Sequence, residues 1–233
     1  VLGTDGKVFI GSNSSLNTGT LGIGLRGPGD LSVDNGAVSS TTSYIGQLTG
    51  SNSSIAQLSN GASWANSQDL FIGHSSSGSL DVDTASDVTN GDSVVAGFDT
   101  GITGEINLNN GANLSSSSEL TIGHNGNGVL SVLGGSSVSS NDSYIAALAG
   151  SNGSVSVSGP ASTMNVSDSF YLGGNNVAAG GTAIAEVVAG GMLSIGNTLK
   201  VWNGGTLSLI GGSINTGTRD VDGPFKLIGG SLN

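Results

Sequence analysis

A repeat of 50 residues constrains this chain more than any other feature of its sequence. The segment Phe71–His74 recurs as Thr121–His124 and again as Tyr171–Gly174, at an interval of 50 residues both times. Two further columns, one containing Tyr44 and Tyr144, keep the same interval. Because self-similarity at a fixed period marks stacked repeat architectures, the chain is predicted to fold as a repeat protein.

Each unit of 50 residues contains two shorter periods of about 25 residues. Ile106, Leu130 and Val155 each begin an apolar-x-apolar pair, and they stand 24 and 25 residues apart. Within one period, three short segments alternate apolar and polar residues and are separated by Gly, Asn, Asp or Ser. This pattern is typical of short strands joined by turns, so three strands and three turns per period predict a triangular prism.

Composition decides between the architectures that have periods of this length. A helical repeat is excluded because Gly contributes 42 residues and β-branched residues occupy the core columns. A β-propeller blade needs four antiparallel strands, whereas each short period holds three. We therefore predict an all-β fold, a parallel β-helix or β-solenoid with about 25 residues and three strands per coil, right-handed by the usual chirality of parallel crossovers.

The repeat divides a single solenoid, residues 1–233, into three parts. Residues 1–29 are predicted to form one or more irregular N-terminal coils. Residues 30–181 carry the regular repeats of about 50 residues, each of two coils, and the spacing drifts over residues 182–233.

Alternation of side chains along each strand predicts two columns of residues. The inward column is expected to form a continuous aliphatic core stack of Ile45, Ile72, Val95, Ile122, Ile145 and Leu172. The column one residue earlier faces outward, and its aromatic members are Tyr44, Phe71, Tyr144 and Tyr171. Two interpretations of this aromatic stripe stay open: stacking that stabilises the strand ladder, and a contact surface for another chain or a glycan.

Charge and cysteine content exclude several partners. The formal net charge is −11, and no Lys or Arg lies between Gly27 and Leu199, so nucleic acid and anionic lipid find no basic cluster. The apolar run Val177–Gly196 contains Glu186 and several glycines, and we interpret it as solenoid, without membrane insertion. The absence of cysteine excludes disulfides and thiolate metal sites and is compatible with export.

Candidate chemistry in the sequence is sparse. His74 and His124 occupy equivalent places two coils apart, roughly 10 Å, which is too far to share a metal ion, and a turn or surface role is expected for both. Asp81 and Asp83 are weak candidates for calcium ligands, and solvated charge that prevents edge aggregation is the alternative. Basic residues are confined to the two ends of the chain, so a polysaccharide-cleaving site is not predicted. We expect no enzyme activity and no cofactor besides that calcium alternative.

The segments Gly61–Trp64, Leu70–His74 and Gly78–Val82 resemble the repeat of bacterial autotransporter passengers and PEP-CTERM-associated surface proteins. The resemblance covers about residues 30–181. It implies a secreted or surface-attached bacterial solenoid with an adhesive or structural role, and it carries over no catalytic residues. The expected partners are further copies of the chain, or a surface glycan or protein. The alternative function is polysaccharide recognition through the outward aromatic stripe.

The two ends of the sequence predict self-association. The segments Val1–Gly11 and Phe225–Ile228 are strand-like, and no capping helix adjoins them. Unpaired strand edges favour pairing with another chain, and opposite charges meeting end to end favour a contact that propagates. We predict a filament that grows by head-to-tail stacking, with a fragment lacking its caps as the alternative.

Overall fold

The computed structural model describes residues 6–48 and 53–233, and the regular elements in those ranges are all strands. The strands build a parallel β-solenoid of about nine turns with three faces. The first face is one sheet of ten strands, in which each strand pairs with its equivalent in the next coil. Its strands are β1 (Gly6–Ile10), β4 (Gly29–Asp34), β7 (Ser54–Ser59), β10 (Gly78–Val82), β13 (Thr103–Leu108), β16 (Asn127–Val132), β19 (Asn152–Ser158), β22 (Thr182–Val188), β24 (Gly205–Ile210) and β26 (Phe225–Ile228).

The second and third faces are two further parallel ladders. Strands of the second face are β2 (Ser15–Asn17), β5 (Ala37–Ser40), β8 (Ser63–Asn66), β11 (Asp87–Asn90), β14 (Asn113–Ser116), β17 (Ser137–Ser140), β20 (Thr163–Val166) and β27 (Ser231–Leu232). Strands of the third face are β3 (Thr20–Ile23), β6 (Thr42–Ile45), β9 (Leu70–Ile72), β12 (Val94–Ala96), β15 (Glu119–Ile122), β18 (Asp142–Ile145) and β21 (Phe170–Leu172). Two longer strands, β23 (Met192–Val201) and β25 (Ser213–Val221), run through both faces and join them.

The prediction of an all-β parallel solenoid is confirmed. Leu130 on β16 pairs with Ile106 on one side and Val155 on the other, so the apolar pairs seen in the sequence are neighbours across coils. Successive coils are about 24 residues apart, close to the expected 25. The right-handed sense in which the chain winds around the solenoid axis stays a prediction. No helix in the described ranges is long and apolar enough to span a membrane.

Inward side chains from the three faces form one hydrophobic core along the solenoid axis. Ile106 and Ile122, which lie on different faces, are both 0% exposed. Complete burial of such a side chain contributes roughly 1.5–3 kcal/mol, but an isolated coil would leave its apolar side chains open above and below. Stacking therefore stabilises every coil through its neighbours.

A buried polar column lies at the corner between the second and third faces. Asn66 Oδ1 accepts hydrogen bonds from Ser40 Oγ and Ser43 Oγ, and Asn66 Nδ2 donates to Asn90 Oδ1 at 2.7 Å. Trp64, which is 1% exposed, packs inward and donates from Nε1 to Ser40 Oγ at 3.0 Å. These bonds pair most of the buried polar atoms at this corner, and Asn90 Nδ2 is buried without a hydrogen-bond partner among the described residues.

One member of the predicted core stack is wrong. Ala96, and not Val95, pairs with Ile72 and Ile122, whereas Val95 pairs with Phe71 and stands in the outward column. The physical reason is coil length, because successive inward partners from Ile45 to Leu172 are between 23 and 27 residues apart. Counting 50 residues from Ile45 therefore reaches Val95, one position before the inward residue Ala96. A shift of one residue along a strand moves the side chain to the opposite face. The other five predicted members do pair along one column: Ile45, Ile72, Ile122, Ile145 and Leu172.

Candidate functional site

The predicted aromatic stripe lies on the outer surface of the third face as two stacked pairs. Tyr44 and Phe71 stack with ring centroids 5.1 Å apart and planes 7° apart. Tyr144 and Tyr171 stack in the same way, at 5.2 Å and 6°. Parallel pairing in register holds equivalent residues one coil apart, and that spacing suits stacked rings. Val95 and Thr121 occupy the positions between the two pairs, so this stripe is interrupted.

A second column of rings is formed by the residues that directly follow Gly73, Gly97 and Gly123, at the ends of β9, β12 and β15. His74 stacks on Phe98 with centroids 4.7 Å apart, and Phe98 stacks on His124 at 5.0 Å. Phe71 contacts both His74 and Phe98 edge-on, at 5.1 and 5.4 Å. Tyr44, Phe71, His74, Phe98 and His124 therefore form one cluster along this edge.

The part played by Phe98 was missed by sequence reasoning, and the two histidines were expected only at a turn or surface. The sequence does contain a signal for this column of rings, because His74, Phe98 and His124 each directly follow a glycine. In the structure all three glycines have positive φ. These glycines, at 73, 97 and 123, fix the register of the third face independently of the 50-residue interval.

The polar contacts of His74 hold its ring in place. Its Nδ1 lies 2.9 Å from Ser75 Oγ, and that hydroxyl donates to Asp99 Oδ2 at 2.6 Å. The hydroxyl lies between the imidazole and the carboxylate, whereas in a catalytic triad the imidazole lies between the other two groups. This arrangement orients the ring and does not activate Ser75 as a nucleophile.

A cleft of about 390 Å³ opens where both ring columns are interrupted. His124 ends the second column, because Ala147 takes the equivalent place in the next coil. Tyr144, 9% exposed, begins the second pair of the stripe beside Thr121. The lining residues fall into three groups, namely Glu119, Thr121 and His124; Tyr144, Ala147 and Leu148; and the loop residues Asn175, Asn176, Val177 and Ala178.

Side-chain hydrogen bonds order the loop that closes this cleft. Asn175 Oδ1 accepts from the backbone N–H groups of Val177 and Ala178, at 2.9 and 3.0 Å. Asn175 Nδ2 donates to the Ala147 carbonyl at 3.3 Å, and Trp202 Nε1 donates to the Asn175 carbonyl at 3.0 Å. Val177 is consequently held at the rim with 82% of its surface exposed.

One carboxylate, Glu119, lines the cleft and gives its rim a negative charge. Burial, followed by repulsion from Asp142 and Asp92, raises the pKa of Glu119. Burial and the neighbouring carboxylates, Asp142 first, raise the pKa of the Tyr144 phenol to about 12, so the hydroxyl keeps its proton at neutral pH. Burial lowers the pKa of His124 although Asp99 opposes the shift. The lining contains no Lys or Arg.

The predicted calcium ligands are engaged with amide and hydroxyl donors. Asp81 Oδ1 accepts from Asn107 Nδ2 at 2.9 Å and from Ser79 Oγ at 3.1 Å. Asp83 Oδ1 accepts from Asn110 Nδ2 at 2.7 Å. Within residues 6–48 and 53–233, no cluster of three or more His, Cys, Asp or Glu side chains is placed to hold a metal ion.

A larger groove of about 740 Å³ follows the corner between the second and third faces. Its walls are short uncharged side chains such as Ser139, Asn165 and Ser194, with Val166 and Ile195 between them. Sequence reasoning did not identify this groove. It offers hydrogen-bonding groups but neither a ring nor a charged side chain, so the aromatic edge has the more distinctive chemistry.

Comparisons of the chain with protein-family models, with curated proteins and with solved structures found no match. The resemblance to autotransporter passengers and PEP-CTERM-associated proteins therefore stays a prediction from the repeat.

Proposed function

We propose that this protein is a non-enzymatic structural or adhesive solenoid of the cell surface or the secreted fraction, and that it makes contact through its side. The observation that carries this proposal is the cluster of five rings along one edge. The five rings are half-buried, so part of each ring faces solvent. Aromatic surface that solvent reaches marks interaction sites, and here a continuous core holds it on a rigid support. Several weak contacts on one rod add to a strong attachment when they engage together.

Adhesion measured with matched surface variants tests this proposal. The purified chain is immobilised on beads through a terminal tag, and bead retention under flow is measured on polysaccharide-coated and on apolar surfaces. Phe71→Ser removes the ring that links the two columns and is expected to lower retention several-fold. Ile184→Ser, at an exposed site on the first face, is the control. Equal loss in both variants would contradict adhesion through the aromatic edge.

The non-enzymatic part of the proposal has its own measurement. The chain is incubated with the same polysaccharides, and new reducing ends are counted over time. We expect none above the blank, and steady release would overturn this part.

Carbohydrate recognition is the second candidate function, and the cleft favours it. Rings at the cleft meet a rim of carboxylate and amide groups, which is the mixture of apolar and polar surface that sugars bind. Screening the chain on a glycan array separates this candidate from protein-directed adhesion, because only the former gives a signal on immobilised glycans.

We also propose that the structural role includes head-to-tail assembly of the solenoid into filaments. Phe225 and Leu227 on β26 extend the inward column of Leu207 and Leu209, yet they are 37% and 50% exposed. A further coil, supplied by a second copy, would bury them while continuing the parallel ladder. The predicted strand Val1–Gly11 at the opposite end is described only from Gly6 onward, as β1.

Electron microscopy over a concentration series tests assembly. We expect unbranched fibres of one-solenoid width, and we expect Leu227→Asp to abolish them. Single short rods at every concentration would overturn filament assembly and leave the adhesive role to be tested separately.

A further inference from the structure

The cleft lies where one more ring would continue the column of His74, Phe98 and His124. Each of these residues donates its backbone N–H to the glycine carbonyl of the preceding coil, and Ala147 does the same to Gly123. Ala147 is therefore the next position of the column, where a buried methyl group, 6% exposed, lines the cleft in place of a ring. No other ring in the described ranges stacks on His124 beyond Phe98.

The walls of this space are already in place. His124 forms one side, and the loop Asn175–Ala178 from the following coil forms the other. The hydrogen bonds that Asn175 makes within the loop and to Ala147 fix the loop before any ligand arrives. Preorganisation lowers the entropy cost of binding, so a small and weakly held ligand can still be specific.

The polarity of the lining limits what can enter. Glu119 and Asn176 offer hydrogen-bond acceptors and donors at the rim, while Ala147, Leu148 and Val177 offer apolar surface. A lining that contains a carboxylate and no Lys or Arg repels anions. Uronic acids and sulfated sugars are therefore disfavoured, and a ring with one apolar face and hydroxyl groups on its edge fits.

We propose that this cleft binds one uncharged pyranose unit of a neutral glycan, with the sugar ring occupying the place that Ala147 leaves in the column. The inference rests on the carbohydrate-recognition candidate above and deepens it. The sugar stacks against His124, and its hydroxyl groups donate to Glu119 and exchange hydrogen bonds with Asn176. Anionic glycans are excluded by charge.

Calorimetric titration with defined oligosaccharides tests the proposal. The probes are maltohexaose, cellohexaose, laminarihexaose and N-acetylated chitohexaose, with oligogalacturonate as the anionic comparison. One of the neutral probes is expected to bind with a dissociation constant of about 1 mM, the range expected for a single ring. Trp202 contacts the loop, so its fluorescence should change during the same titration.

A substitution that fills the cleft next to Ala147 gives the most direct test. Ala147→Phe places a ring at this position and is expected to weaken binding at least tenfold, and circular dichroism checks that the variant is folded. Val177→Asp, at a rim position that is 82% exposed, is a second variant that should weaken binding without affecting folding. Ile184→Asp, exposed on the first face, is the matched control and should bind like the parent.

Each outcome separates this site from the broader function. Unchanged binding by folded Ala147→Phe and Val177→Asp would overturn the cleft while leaving carbohydrate recognition elsewhere on the chain. No binding of any neutral probe up to about 10 mM would overturn both, and the adhesion assay would still test the structural role. Oligogalacturonate that binds as tightly as the neutral probes would overturn the selectivity for uncharged sugars.

Discussion

Individual residues with left-handed backbone follow the third-face strands from β3 to β21. Gly123 has a φ of +80°, and a β-carbon added there would collide with the carbonyl oxygen of Asn152. In the next coil the equivalent residue is Ala146, which adopts a φ of 57° in spite of its side chain. The same turn is thus made once by a residue suited to it and once by a residue that pays a conformational cost.

This pair predicts unequal effects of reciprocal substitutions. Gly123→Ala should lower the free energy of unfolding by at least about 2 kcal/mol, since backbone strain and a steric clash act together. Ala146→Gly should change it by less than about 1 kcal/mol, because the relief of a left-handed alanine is offset by the loss of a fully buried methyl group and by the greater freedom of glycine in the unfolded chain. Urea denaturation of both variants and the parent provides the measurement. A loss for Ala146→Gly as large as that for Gly123→Ala would contradict the argument.

Glu119 predicts a pH-dependent gain in stability on neutralisation. Because its folded pKa is raised, mainly by burial and then by Asp142 and Asp92, its ionised form destabilises the fold at pH 7. Glu119→Gln should raise the melting temperature by about 1–2 °C at pH 7, a small gain because the Glu119 residue is largely exposed and solvent screens its charge. The gain should shrink as pH falls through the raised pKa and vanish below 4.5, the ordinary value of the group.

The variant has to be compared with the parent at each pH, because His124 changes the stability of both proteins with pH in the direction opposite to Glu119. Its pKa is lowered in the fold, so the stability it contributes declines as pH falls below 6.5, its ordinary value. Thermal denaturation of Glu119→Gln and parent at pH 7, 6, 5 and 4 isolates the carboxylate. A difference that does not vary with pH would instead indicate a packing effect.

At the scale of the strand, alternation was predictable and coil length was not. Inward positions such as Ile72, Ile122 and Ile145 follow from the period-two pattern, since each faces the core of a half-buried strand. Val95 was misplaced because two adjacent valines fit either register, and only the following Ala96-Gly97 distinguishes them.

The cleft is harder to predict from the sequence than the length of a coil. Its loop is ordered by an Asn175 side chain and by Trp202 from the following coil, and such contacts leave no periodic trace in a sequence. The stacking of Phe98 between two histidines likewise depends on three coils meeting in register.

The corrected core stack predicts the effect of a charge inside one strand. Ile122 on β15 is 0% exposed and pairs with Ala96 and Ile145. Ile122→Asp places an unpaired carboxylate in the continuous core and should cost at least about 4 kcal/mol, which lowers the melting temperature by roughly 10 °C or more. Ser131→Asp, at an outward position of β16, should stay within about 0.5 kcal/mol of the parent. Similar melting temperatures for the two variants would invalidate the inward assignment.

At the scale of the molecule, the sequence predicts architecture better than activity. Repeats, abundant glycine and few charges lead to a solenoid, because stacking is the way that thin coils bury small aliphatic side chains. The proposed function depends on a few outward residues such as Phe98, His124 and Val177, whose placement depends on how neighbouring coils align. The same stacking makes each coil depend on the next, so damage to one coil spreads along the axis.

Parallel pairing between coils also determines how the protein resists force. Hydrogen bonds between successive strands of the first face point along the solenoid axis. Tension applied to the two ends of the chain therefore peels the terminal coil first, and each coil of about 24 residues then releases roughly 80 Å of slack. A tether built from this protein would lengthen in steps of about that size under load, and single-molecule pulling would record a sawtooth whose spacing varies with the length of each coil.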